Sequence, residues 1–451
     1  MRKIRNQQLP LQETTTDHPK AKEFAQISKI LDANSNIYTL VQQDLGVSGK
    51  NIGANGMTAE QVFRTAIIKK IGNYSYRELA FHIEDSRTYR HFCKIGFGKS
   101  FKKSALHKGG KAISAGTWEQ VNRLLTDHAK SIGVEKGRKV RVDCTVVESN
   151  IHAPYDSELL VDCNRVLARL LTQAKTELPG IVFRFMDHCR RSKRRNLEIM
   201  NAKNNVERKK PYNDLIQITE NSVGYADKAL KFLVKYNAVT LEEQGCKDYL
   251  VQEIKHYLPL VRQVICQTRR RVLGSESVPA VEKIVSIFEP HTDIIRKDRR
   301  ETYYGHKICV AGGPSNLIHD CVVLEGNPSD SELTTMMLDR QKHIYGRYPL
   351  KVAFDGGFSS QVNLAEAKHR GIKDVCFSKG RGLTEYDMCR SKYVYKGLRN
   401  FRAGIESAIS WLKRSLGLDR CTWKGDASFK SYVWASIVSG NLLTLARKQL
   451  A

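Results

Sequence analysis

The sequence predicts an α/β protein in which a sheet-based core follows an all-helical domain and is interrupted, between its first and second strands, by a large helical insertion. Three observations predict it. Short β-rich runs lie at residues 139–147, 304–310 and 317–324, and from residue 331 onward helical and strand patterns alternate. Apolar residues recur at helical spacing between residues 58 and 125, before any strand. They do so again between 157 and 300, a stretch that a minimal sheet does not need.

Taken in order, residues 1–55 open polar and pass into a short helical stretch that points to no chemistry. Val62, Ala66, Ile67 and Ile71 then repeat at helix spacing, Asn73 and Tyr74 break the pattern, and Ser75 restarts it as a helix start signal. The second run carries Leu79 and Ile83 inward, and residues 104–125 add another helix with basic residues. Helices joined by short turns, with Arg and Lys interspersed, suggest a helix-turn-helix-like DNA-binding domain over 1–130; a purely structural bundle fits the same pattern.

The core is expected in two pieces, 138–156 and 301–451. Gly312, Gly313, Pro314, Ser315 and Asn316 mark a hairpin turn between the second and third strands. A helix over 331–344, a strand over 350–355, a helix over 359–370 and a strand over 374–378 complete a βαβ unit. The insertion, 157–300, repeats apolar residues at Leu159, Leu160, Val166, Leu167, Leu170 and Leu171, and again at Leu250, Ile254, Leu258, Val261 and Ile265. Those two stretches suit a helical hairpin. Its basic clusters are Arg190, Arg191, Lys193, Arg194 and Arg195; Arg208, Lys209 and Lys210; and Arg269 to Arg271. A single charge run is often only a solvated face, but three on one insertion favour an arm that contacts DNA phosphates.

Three acids stand where a chain would place them to converge. Asp143 closes the run Lys139-Val-Arg-Val, Asp355 closes Lys351-Val-Ala-Phe and precedes Gly356-Gly357, and Glu406 lies in a helical segment with Arg402 four residues before and Lys413 seven after. Carboxylate oxygens are the ligands hard cations such as Mg²⁺ prefer, and paired ions suit displacement at phosphorus. Arg402 and Lys413 would add positive charge for a phosphate. Singly, each acid also reads as a turn residue or a solvated helix network.

Together, the set resembles the Asp, Asp, Glu triad of bacterial insertion-sequence transposases of the DDE type, whose catalytic core is ribonuclease-H-like. The stretches carrying the resemblance are Val142 to Ile151, Tyr304 to Lys307 through Gly326 to Asp330, Phe354 to Phe358, and the helix of Arg402, Glu406 and Lys413. The last resembles the family's Tyr, Arg, Glu, Lys pattern at three positions, with Arg399 in the tyrosine slot. The resemblance implies two Mg²⁺ ions, with Mn²⁺ as substitute, held by Asp143, Asp355 and Glu406, and double-stranded DNA as partner, both element ends and target. It also implies binding of terminal inverted repeats, cleavage and strand transfer, and a homodimer in the DNA complex. A DNA-binding protein of the same fold without catalysis, and a nuclease without strand transfer, are the alternatives.

Composition agrees. The chain has 451 residues and a formal net charge of +27, with a pI near 9.6, so an acidic partner is expected, nucleic acid before a membrane surface. No apolar run of membrane-spanning length and no signal-peptide pattern is seen, which suggests a cytoplasmic protein, associated with the nucleoid when bound to DNA. Eleven cysteines form no Cys-x-x-Cys pair, so the thiols read as reduced and structural. Asp187, His188 and Cys189 are adjacent on the chain and point apart on a helix, which makes a metal site there a poor fit. Glu148 and Asp330 are expected to cap or turn rather than bind metal, with Glu148 placed beyond its strand.

Overall fold

The computed structural model describes residues 3–5, 17–46, 56–96, 98–297 and 301–451. The chain divides into two units, Met1–Ser149 with Gly305–Ala451, and Asn150–Tyr304.

The first unit begins with helices α1 (Pro19–Ala33), α2 (Asn36–Leu45), α3 (Ala59–Ile71), α4 (Tyr76–Asp85), α5 (Arg87–Phe92), α6 (Lys103–Ala112) and α7 (Ala115–Ser131). Thr58 with Gln61 and Ser75 with Glu78 form capping boxes that start α3 and α4. Between them Asn73, at φ 50°, takes the left-handed turn that ends the first helix. On α6, an added Cβ at Gly109 would lie 3.0 Å from Val62, and one at Gly110 2.9 Å from the Tyr76 hydroxyl. Two adjacent glycines therefore let α6 lie close against α3 and α4.

Strand β1 (Lys139–Glu148) follows. Glu148 is its last residue rather than lying past its end: antiparallel pairing with residues 305–312 runs from Arg141 to Glu148, which places Asp143 in mid-strand. Glu148 also donates its N–H to Asp419 O and accepts from Cys421 N.

The second unit packs α8 (Asp156–Glu177), α9 (Cys189–Asn201), α10 (Asn205–Lys235) and α11 (Leu241–Thr268), the last running into a π-helical turn, Arg269–Leu273. The two apolar stretches of the insertion do meet, on α8 and α11, but α9 and α10 complete the bundle around Leu160, Leu167, Leu215, Ile254 and Val261. Each such Leu or Ile contributes roughly 1.5–3 kcal/mol on burial. Arg269, Arg270 and Arg271 are held by acids of the same unit, Glu220, Glu276 with Glu282, and Asp156.

The remaining elements are β2 (Asp293–Lys297), β3 (Glu301–Gly312), β4 (Ile318–Val323), α12 (Thr334–Tyr345), β5 (Lys351–Phe354), α13 (Gln361–His369), β6 (Asp374–Phe377), α14 (Glu385–Met388), α15 (Lys392–Leu416) and α16 (Asp426–Leu450). The protein is thus a mixed α/β chain with a six-stranded sheet, ordered β2-β3-β1-β5-β6 with β4 on β3. β1 pairs antiparallel with β3 and parallel with β5, and β5 pairs parallel with β6. Strand alternation sends Val140, Val142, Val352 and Phe354 into one apolar cluster with α12 and α13. Ile308, Val310 and Val147 enter another, which runs from Ile27 of α1 through Trp118 of α7 to Ile405 of α15 and Val438 of α16.

Candidate active site

Parallel pairing decides the site's first two members. Val142 and Phe354 are the last partners in the β1–β5 register, so Asp143 and Asp355 come next on adjacent strands. In a parallel pair, partners share a face. Arg141 and Asp143 lie on that face of β1, and α15 covers it: Arg141 Nη1 donates to Phe401 O at 2.9 Å, and Nη2 to Asn316 Oδ1 at 2.5 Å. Arg141 is 4% exposed and also lies over the Phe401 ring, 4.7 Å from its centre. A methyl at Gly404 would lie 2.0 Å from Arg141 Nη1. Glycine there admits the guanidinium and fixes the height at which α15 crosses the strand.

Arg402 then reaches all three acids. Its Nη1 lies 3.3 Å from Asp355 Oδ1 and 3.7 Å from Asp143 Oδ2, and its Nη2 lies 2.9 Å from Glu406 Oε1 one helical turn on. Strand β1, the tip of β5 and helix α15 thus meet around one guanidinium. Their ligand oxygens do not all come within 4.8 Å of one another, as expected of like charges arranged about a cation of this size.

Burial pushes the Asp143 carboxyl up to about 7, the fields of Asp355 and Glu406 adding to it while the Cys144 N–H and Arg402 oppose. That N–H donates to Asp143 Oδ1 at 2.8 Å. Burial alone would raise Asp355 as well, but the Ser378 hydroxyl, donating at 2.8 Å, the Gly356 N–H and the charges of Arg402 and Lys379 hold it below the usual range. Two neighbouring carboxyls are therefore pushed apart, a pattern that marks functional sites more often than structural ones.

Residues 283–442 match the family described as Transposase DDE domain. The match spans 160 of the 451 residues, and that stretch is similar to a transposase DDE domain. The matched stretch contains Asp355, Arg402, Glu406 and Lys413, and begins after Asp143. Comparison with curated proteins and with solved structures found no match.

Other expected residues stand apart from the three acids. Lys413, farther along α15, pairs with Asp419 at 3.4 Å and makes no ion pair with the acids among the described residues. Asp330 pairs with Lys307 at 2.7 Å, and a Cβ on Gly357 would lie 2.4 Å from it, so it braces the turn after Asp355. In the second unit, Arg190, Lys193 and Arg194 are exposed on α9 and form no ion pair among the described residues. Arg191 and Arg195 are clamped by Asp214 of α10, and Arg195 also by Glu198 at 2.6 Å. Arg208 is partly covered and bonds Ala202 O at 3.4 Å, while Lys209 and Lys210 are exposed. Sequence reasoning passed over Arg141, Gly404, Ser378 and Lys379. A charged residue on an inward strand position two before Asp143 was the available signal for the first; the others follow only from the packing of α15 and β6.

No helix among the described residues is long and apolar enough to cross a membrane.

Proposed function

We propose that the protein is the transposase of a bacterial insertion sequence, binding terminal inverted repeats and cutting and rejoining DNA through a ribonuclease-H-like core. One observation carries the reading: a single guanidinium, Arg402, gathers carboxylates from three elements far apart in sequence. The donor set fits hard divalent ions. Three carboxylates against one guanidinium leave negative charge in excess, and burial, with the fields of Asp355 and Glu406, lifts Asp143 to about 7. Asp143, Asp355 and Glu406 would hold two Mg²⁺ ions, or Mn²⁺ in their place, which when bound supply activation of an attacking oxygen and stabilisation of a leaving one.

The chain's own residues supply position and charge. Ser378 orients Asp355; Arg141 and Gly404 set α15 over β1 and so fix where Glu406 stands. Arg402 offsets part of the acids' mutual repulsion and would face the scissile phosphate, with Lys413 extending the positive surface. The exposed basic residues Arg190, Lys193 and Arg194 of α9 and Lys209 and Lys210 of α10 hold backbone phosphates. Helices within 1–130 read the element end, and a homodimer brings two ends together.

The test is Asp143→Asn, Asp355→Asn and Glu406→Gln, each of which keeps shape and removes one ligand charge. Each is expected to abolish Mg²⁺-dependent nicking and joining of element-end DNA while leaving its binding nearly intact. A variant that still cut at more than a few per cent of the wild-type rate would remove that residue from the site.

A further inference from the structure

The first unit contains a cavity of about 420 Å³ lined by none of the residues of the candidate active site. Its walls include Lys69 of α3, Tyr76 of α4, Lys111 of α6, and Trp423 and Lys424 of the loop between α15 and α16. Lys69 is only 8% exposed and forms no ion pair among the described residues. Its ammonium lies 4.8 Å from the centre of the Tyr76 ring and 6.0 Å from that of Trp423. Glu78, the acid whose field reaches Lys69, is bonded to the Ser75 N–H at 2.7 Å as part of the α4 cap. Lys111 and Lys424 are exposed at the cavity's edge, again without ion pairs among the described residues. The Trp423 indole N–H is buried and unpartnered.

Lys69, Lys111 and Lys424 line the cavity and no carboxylate among the described residues does, and burial pulls the Lys69 ammonium below its ordinary range. An anion supplies the missing counter-charge. Two aromatic walls add a preference for a flat ring, because base–aromatic stacking contributes about 1–3 kcal/mol whatever the base. The cavity is of a size that takes a small ligand. It is also fixed to the catalytic framework: Cys421 N donates to Glu148 O at 2.7 Å and Glu148 N to Asp419 O at 2.9 Å. These bonds hold the Trp423 loop at the end of β1, five residues and so about 17 Å of strand beyond Asp143.

We propose that this cavity binds one unpaired nucleotide, its phosphate held by Lys69, Lys111 and Lys424 and its base against Trp423 and Tyr76. A free nucleotide and an unpaired nucleotide within a DNA strand share this chemistry; only the second source rests on the transposase reading. The full chain, without metal, is titrated with inorganic phosphate, deoxyadenosine monophosphate, a short single-stranded oligonucleotide and the matching blunt duplex, following tryptophan emission and heat. The mononucleotide and the single strand are expected to quench emission, and Trp423→Phe to remove the quench. Lys111→Gln and Lys424→Gln, both on exposed side chains, are expected to weaken binding about tenfold each, some 1.4 kcal/mol. A single strand binding well above the mononucleotide assigns the source to DNA, and equal binding assigns it to free nucleotide. Absence of quenching by both, a quench that survives Trp423→Phe, or phosphate alone binding as tightly as the mononucleotide overturns the proposal. Asp143→Asn is expected to give the wild-type titration curve, so loss of cleavage and loss of nucleotide binding are read separately.

Discussion

At the scale of single residues, charge placed away from water decides the most. Arg402 stands among three acids, so Arg402→Ala leaves carboxylates facing one another without counter-charge. Metal-free protein is expected to lose about 1–3 kcal/mol in urea unfolding, and strand transfer to fall far more than duplex affinity. Wild-type stability and activity in the variant would show that the guanidinium does not hold the site. Glu135 gives the pH-sensitive case. Burial would raise its carboxyl, but His319 at 3.3 Å, the Ser315 hydroxyl and the Lys136 N–H outweigh that and hold it at about 2. A carboxyl depressed in the fold contributes stability above its unfolded pKa, about 4.5, and loses that contribution as pH falls toward 2. Wild type is therefore expected to exceed Glu135→Gln by up to about 3 kcal/mol near neutrality, with the gap closing as melts are taken down through about pH 4. A constant gap would mean that packing, not charge, makes the difference.

At the scale of elements, the site depends on one helix crossing one strand at a set height. Gly404 in the middle of α15 costs helix stability, about 1 kcal/mol relative to alanine. Gly404→Ala should therefore favour the helix taken alone. The added methyl would nonetheless fall 2.0 Å from Arg141 Nη1, and Arg141, buried and bonded to Phe401 O and Asn316, moves only by giving up those bonds. The expected outcome is a loss of cleavage of about tenfold or more with element-end affinity little changed. Full activity in Gly404→Ala would show that the crossing tolerates displacement and that Arg141 plays no positioning part.

At the scale of the whole molecule, a net charge of +27 is distributed unevenly between exposed and neutralised groups. On α9, Asp214 occupies Arg191 and Arg195, leaving Arg190, Lys193 and Arg194 open to a phosphate backbone. Replacing those three with glutamine is expected to lower affinity for element-end and unrelated DNA alike, and to reduce the log–log salt slope by roughly 0.9 for each phosphate that is no longer neutralised. Preference for the element end should survive, since phosphate binding carries little sequence information. An unchanged slope would make α9 a solvated face.

Local chemistry is what the sequence by itself determined. Capping boxes at Thr58 and Ser75, the left-handed break at Asn73, the turn at 312–316 and the two-residue alternation of the strands are set by near neighbours. The order of strands and helices from β3 to α15 was legible for that reason, as was the placing of Asp143 and Asp355 at corresponding points of two strands and of Arg402 and Glu406 on one helical face. Pairings between residues far apart in sequence belonged to the tertiary structure alone. Local pattern gives no sign that Asp419 and Cys421 would pair with Glu148 at the end of β1, or that Arg269 to Arg271 would be neutralised by Asp156, Glu220, Glu276 and Glu282. Nor does it show that Arg141 and Gly404 would interlock, or that Lys69 and Trp423 would share a cavity. Side-chain charge and volume are written in the chain, whereas the partner that satisfies each is chosen by packing, because a buried charge or an inward glycine has meaning only against whatever surface reaches it.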